Sequence, residues 1–169
     1  MKSKMIREKT AKEHIQDYID NMECIVKCKP YYAFALLAIV IEVLGKCMNE
    51  NADWQQSGSS ESDFNKALDL ESLKKYKNIE NIENNTLYKT LRCGLLHASL
   101  PKNGILLAPN KNNLKKKTIG CVSLYNDIKK AWRDIESEKV SVSKNLDSNV
   151  LHVEDELSGN TMNPTIIIN

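Results

Sequence analysis

Apolar residues recur at three- and four-residue steps near the start of the chain. Ile15, Tyr18, Ile19, Met22, Ile25 and Val26 fall on one stripe, the period of an amphipathic helix. Thr10 with Glu13 three places on is a capping-box signature, so a helix is predicted over Thr10 to Lys27. Pro30 ends it near Cys28. A second helix is predicted from Tyr31 to Met48. It is apolar almost all round (AFALLAIVIEVLG) and needs neighbours on several sides. Asn49 to Ser62 is polar, with Gly58 among serines, and reads as a loop. Asp63 is expected to cap a short helix carrying Phe64, Ala67 and Leu68, and another short helix covers Leu70 to Tyr76. Lys77 to Asn85 repeats Asn-Ile-Glu-Asn and reads as turn-rich.

From Thr86 a further helix carries Leu87, Leu91, Leu95 and Leu96 on one side, until Pro101 and Gly104 end it. The period then changes. Ile105 to Leu107 and Thr118 to Val122 flank a polar Asn/Lys stretch, which predicts a β-hairpin. Leu124 to Glu138 is the last clear helix, with Ile128, Ala131, Trp132 and Ile135 on one face. Val140 to Asn169 is polar apart from Val150-Leu151 and Ile166 to Ile168; it either adds a strand or stays loose. The expected fold is mainly α: a bundle of four main helices plus short ones, with a small β-hairpin inserted before the last. The expected organisation is one helical domain over 1–140, with the insertion near 104–123, and a partly irregular extension over 141–169.

At 169 residues and 41% hydrophobic, one domain with a real core is the default. The net charge of +2 sets up no global field that forces a nucleic-acid or membrane reading. Its distribution is uneven. Between Ser99 and Asn126 stand Lys102, Lys111, Lys115, Lys116 and Lys117 with no acid, whereas no lysine or arginine follows Lys144. Either these lysines contact an RNA backbone or they form a solvated turn. The apolar run from Tyr31 to Leu44, broken by Glu42, falls short of the roughly 20 residues that span a bilayer, so no membrane partner is expected. Five cysteines and a charged N-terminus without an apolar stretch point to reduced thiols and a cytoplasmic location. Cys24 and Cys28 lie one helical turn apart with no second pair, so neither a metal nor a cofactor is expected. There is no glycine-rich phosphate loop, no GxSxG elbow and no HExxH. His14 on the first helix and His152, isolated in the acidic tail, are read as residues without a chemical role.

The candidate chemistry sits in Arg92-Cys93-Gly94-Leu95-Leu96-His97. A guanidinium offers a fixed cationic fork for phosphate oxygens, and an imidazole exchanges protons near neutral pH. The plain alternative is a surface arginine and a histidine that suits a helix C-terminus. Glu42 adds a second question. Facing inward it needs a partner, and Arg92 is the natural one as a structural ion pair; facing outward near the helix end it has no special role. On a regular helix, residues five apart lie about 140° apart and share no face. Loosening around Gly94, or a two-fold dimer that brings two motif copies to one cleft, resolves this.

The motif, Arg, four residues, then His, on a helix that follows two long antiparallel helices and precedes a closing one, resembles the HEPN superfamily over about residues 8–138. These are small helical domains found in many prokaryotic ribonucleases and defence proteins. The resemblance implies metal-independent RNA cleavage by transesterification at a homodimer cleft. His97 would be general acid or base and Arg92 would hold the scissile phosphate. It also admits a non-catalytic dimeric interaction module, or a partner of a separately encoded nucleotidyltransferase. Catalytic members commonly carry Asn, Asp or His directly after the arginine. This chain has Cys93, a poor hydrogen-bond partner that cannot orient phosphate or water as an amide does.

Overall fold

The computed structural model describes residues 5–50, 52, 54, 59–77, 79, 87–98, 104–147 and 149–154, with backbone only for 5–8, 97–98 and 149–154. The protein is mainly helical. Its capping box forms as the sequence requires: the Thr10 hydroxyl accepts from Glu13 N–H at 3.1 Å, and the Glu13 carboxylate accepts from Thr10 N–H at 2.8 Å. Helix α1 (Ala11–Cys28) follows and buries Ile15, Ile19, Met22 and Val26. Pro30 opens the next helix rather than merely closing this one. It occupies the first turn of α2 (Pro30–Cys47), where a missing N–H costs nothing.

Helix α2 is the centre of the bundle. Phe34, Leu37, Ala38, Ile41, Leu44 and Cys47 are fully buried on it. It meets α1 on one side, α3 (Ser60–Ala67) on another and α6 (Cys121–Glu136) on a third. Burying each large apolar side chain contributes about 1.5–3 kcal/mol. By length and composition, with mean hydropathy 1.5 over its 18 residues, α2 is apolar enough to cross a membrane, more so than its central run suggests; half of it is buried in the bundle. Gly45 allows the close approach of α3, since a Cβ there would lie 1.6 Å from the Asp63 carbonyl oxygen. The residue before α3 is Ser59, so Asp63 does not cap it. Asp63 is buried inside the first turn and accepts from the Ser59 hydroxyl.

The short helix expected over Leu70 to Tyr76 is confined to α4 (Lys74–Lys77), preceded by turns. Most of the stretch expected to be turn-rich, and the helix end expected at Pro101, lie outside the described residues. The motif helix is not one regular helix. Tyr88–Cys93 is a π-helical turn, and α5 (Gly94–Ala98) continues it as α-helix.

The insertion is not a hairpin. Strands β2 (Leu106–Ala108) and β3 (Thr118–Gly120) run parallel, with Leu107 beside Ile119. Antiparallel pairing occurs instead within the loop, where Asn113 and Thr118 exchange two 2.9 Å backbone bonds. A 3₁₀ turn at Leu114–Lys116, closed by Lys117 at φ +53°, reverses the chain early. Helix α6 begins at Cys121, taking residues expected in the second strand. The loop supplies its cap: Val122 and Ser123 N–H donate to the Pro109 and Asn110 carbonyls at 3.1 Å.

After α6 the chain docks back on the end of α2. Ser143 N–H donates to Cys47 O at 2.6 Å, and Leu146 is buried. Strand β4 (Asn149–Glu154) then pairs antiparallel with β1 (Met5–Thr10), from Met5 beside Glu154 to Thr10 beside Asn149. The β1 strand was not expected. The apolar segment Ile166 to Ile168 lies outside the described residues.

Candidate functional site

Glu42 projects from α2 toward the π-helical turn. Arg92 Nε donates to Glu42 Oε2 at 3.0 Å, and both side chains keep about a fifth of their surface exposed (23% and 20%). The guanidinium also sits 5.8 Å from the Tyr88 ring centroid, within cation–π range. Tyr88 is held in turn by Phe64 of α3, edge to face at 5.6 Å. Partial burial raises the Tyr88 pKa, and the Arg92 charge opposes that rise. Among the described residues nothing hydrogen-bonds the terminal Nη1 and Nη2 groups of Arg92. Glu42 thus anchors the arginine through its inner nitrogen and leaves the outer fork for a second anion, in the bidentate geometry guanidinium favours.

The turn itself is re-phased. Gly94 N–H reaches back five residues to Lys89 O, so the helix is wider here than an α-helix. The loosening falls before Gly94, not at the helix end. It sets Tyr88 and Arg92 together while Leu91 points fully inward. His97 lies one turn further on in α5 by its backbone. Cys93 is half-buried between them.

No family model matches this chain, and no curated protein or solved structure matches it either.

The lysines expected to contact RNA take no part in the Arg92–Glu42 hydrogen bond and ion pair. Lys102 lies outside the described residues. Lys111, Lys115 and Lys116 are exposed on the loop between β2 and β3, and Lys117 is half-buried where that loop closes. A second polar cluster, which the sequence did not announce, holds this loop. Asp127 of α6 is buried. Its Oδ2 accepts from the Tyr76 hydroxyl at 2.7 Å and from Lys75 Nζ at 2.6 Å. Asn112 Nδ2 donates to the Tyr76 oxygen at 2.7 Å, and Asn112 Oδ1 accepts from Gly120 N–H at 2.7 Å. Burial is the main cause that pushes the Tyr76 pKa far up, although the Asn112 bond opposes it. A signal was available in Asp127, which stands three residues after Leu124 and four before Ala131, on the apolar face. Nothing marked Asn112 beyond a turn composition.

Two further features bear on chemistry. A cleft of about 280 Å³ between α1 and α2 is lined by Ile15, Tyr18, Ile39, Val43 and Trp54, with His14 at its edge. Neither Arg92 nor the loop lysines border it. Among the described residues no group of three or more His, Cys, Asp or Glu side chains is placed to hold a metal ion.

Proposed function

We propose that this chain is a HEPN-like, cytoplasmic, homodimeric protein that cleaves RNA without a metal. His97 takes the proton from a ribose 2′-hydroxyl. The 2′-oxygen attacks the adjacent phosphorus, the bond to the 5′-oxygen breaks, and that oxygen leaves with the proton His97 took, with a 2′,3′-cyclic phosphate behind it. Arg92 holds the phosphate and the charge that develops on it. The observation that supports this most is the state of Arg92: fixed by Glu42 through Nε, partly exposed, with its outer nitrogens unengaged among the described residues. Such an arginine is pre-organised to receive an anion rather than consumed by its internal partner. Incubating mixed RNA with the protein and with His97→Ala in EDTA tests it. Cleavage by the parent and its loss in the variant are expected; equal activity, or none in either, removes the reading.

A second reading is favoured by the same ion pair. Glu42 and Arg92 can be purely structural, and Cys93 is an unhelpful neighbour for catalysis. The chain is then a dimeric interaction module, or a protein partner of a nucleotidyltransferase. Unfolding of Arg92→Ala would select this reading.

A further inference from the structure

The segment from Pro109 to Arg133 holds seven cationic side chains and one acid, Asp127, in a chain whose total charge is only +2. That one carboxylate is turned inward, with 7% of its side chain exposed. It binds Tyr76 and Lys75 directly, and Lys130 Nζ stands 3.8 Å from its other oxygen. Through Tyr76 it is one bond from Asn112, which sits between Lys111 and the 3₁₀ turn of Lys115 and Lys116. Lys75 of α4 and Lys130 of α6 therefore converge on a buried anion, and the loop that carries Lys111, Lys115 and Lys116 is tied to the same anion through Asn112 and Tyr76.

The loop is also fixed more firmly than its composition suggests. Asn112 is tied by three bonds: from its amide to Tyr76, to its side-chain oxygen from Gly120 N–H, and from its own N–H to the Ser123 hydroxyl at 3.3 Å. A Cβ on Gly120 would fall 2.4 Å from the Lys111 carbonyl carbon, so the loop lies directly against the start of α6. Lys111, Lys115 and Lys116 are exposed and make no ion pair among the described residues. Free cations on a rigid support forfeit little chain entropy on binding.

We propose that the Tyr76–Asp127–Asn112 network presents Lys111, Lys115 and Lys116, with Lys75 and Lys130 beside them, as a rigid cationic platform for the phosphate backbone of single-stranded RNA. The loop from Pro109 to Lys117 carries one large apolar residue, Leu114, which is half-buried, and Leu106 stands exposed at its base; one exposed apolar side chain falls short of the apolar face a lipid interface calls for. The recognition is of charge spacing and carries no sequence information. This deepens the RNA-directed reading above but does not need Arg92 or His97 to be catalytic.

Fluorescence anisotropy with an unstructured 2′-O-methyl RNA, which has no free 2′-hydroxyl to attack, separates binding from cleavage. The full chain is compared with the triple variant Lys111→Ala, Lys115→Ala, Lys116→Ala across a salt series. The variant is expected to bind about tenfold or more weakly at low salt, and the slope of log affinity against log salt should fall by about 2, near 0.7 per lost phosphate contact. Unchanged affinity and slope overturn the proposal. A control triple, Lys66→Ala, Lys139→Ala and Lys144→Ala, removes the same charge toward the far ends of α2 and α6 and should bind like the parent. Equal weakening by both triples also overturns it, because net charge alone would then be responsible. Asn112→Ala keeps every lysine and is expected to bind about threefold or more weakly, since the loop loses its pose. Parent-like binding by that variant overturns the latch, and Tyr76→Phe repeats the test should Asn112→Ala fail to fold. Binding by a parent chain that shows no cleavage of ordinary RNA would sink the catalytic reading and leave the platform standing.

Discussion

Two carboxylates organise the polar chemistry of this protein, and they are spent differently. Asp127 is buried and its bonds close on the protein itself: tyrosine, lysine, asparagine and a backbone amide form a finished circuit. Glu42 is partly exposed and holds a single nitrogen of Arg92, whose remaining donors stay open among the described residues. A closed buried network fixes where a loop lies. An anchored cation with spare donors is ready for a ligand. The first arrangement is scaffold and the second is a candidate site, although each is a carboxylate meeting a cation.

The contrast breaks most visibly on removing the carboxylates. Asp127→Ala leaves the Tyr76 hydroxyl one bond short inside the core and unties the loop. It is expected to cost about 3 kcal/mol in denaturant unfolding; a loss under about 1 kcal/mol would show that the circuit is not structural. Alkaline pH reaches the same region next. Burial raises the pKa of Tyr76, pushes Cys121 up to about 11 and Cys47 up to about 12. The unfolded chain ionises these groups first, so their contribution is whole below about pH 9 and falls as pH rises from there through the folded values. Melts across pH 7 to 11 should be flat at first and then decline, with a shallower decline in Tyr76→Phe. A flat profile to pH 11 contradicts that burial.

Glu42→Gln should cost less than Asp127→Ala, about 1 kcal/mol, because water reaches this pair. A cost equal to that of Asp127→Ala would erase the distinction between the two regions. The smallest effect is on reactivity. Cys93 lies half-buried in the π-helical turn, whereas Cys121 is buried at the start of α6 and donates to Pro30 O at 3.3 Å. Iodoacetamide at pH 8 should modify Cys93 well before Cys121, read by peptide mass spectrometry. The reverse order would mean that the latched region opens first.

The long helices were legible because burial imposes a 3.6-residue period on α1 and α6, a nearly unbroken apolar run marks α2, and Thr10 and Glu13 mark a start unambiguously. Glu42 was legible as a question, since a lone carboxylate in an apolar run demands a partner. The π-helical turn was not, because it differs from an α-helix by one hydrogen-bond register and leaves the leucine spacing almost unchanged. Nor were the parallel strands, since two short apolar runs around a polar turn look the same whether the chain reverses once or twice. Strand β1 pairs with residues nearly the whole chain away, and local sequence carries little of such pairing. Asn112 gains its role only when Tyr76 and Gly120 arrive beside it.

The central claim is that Arg92 is held by Glu42 for the sake of its outer nitrogens. Cleavage of RNA in EDTA by Arg92→Ala, measured alongside its thermal melt, tests this most directly. The account predicts that cleavage by the parent falls about a hundredfold or more in the variant, while the melting temperature drops by only about 2–4 °C. A variant that unfolds, or one that cleaves as the parent does, contradicts it.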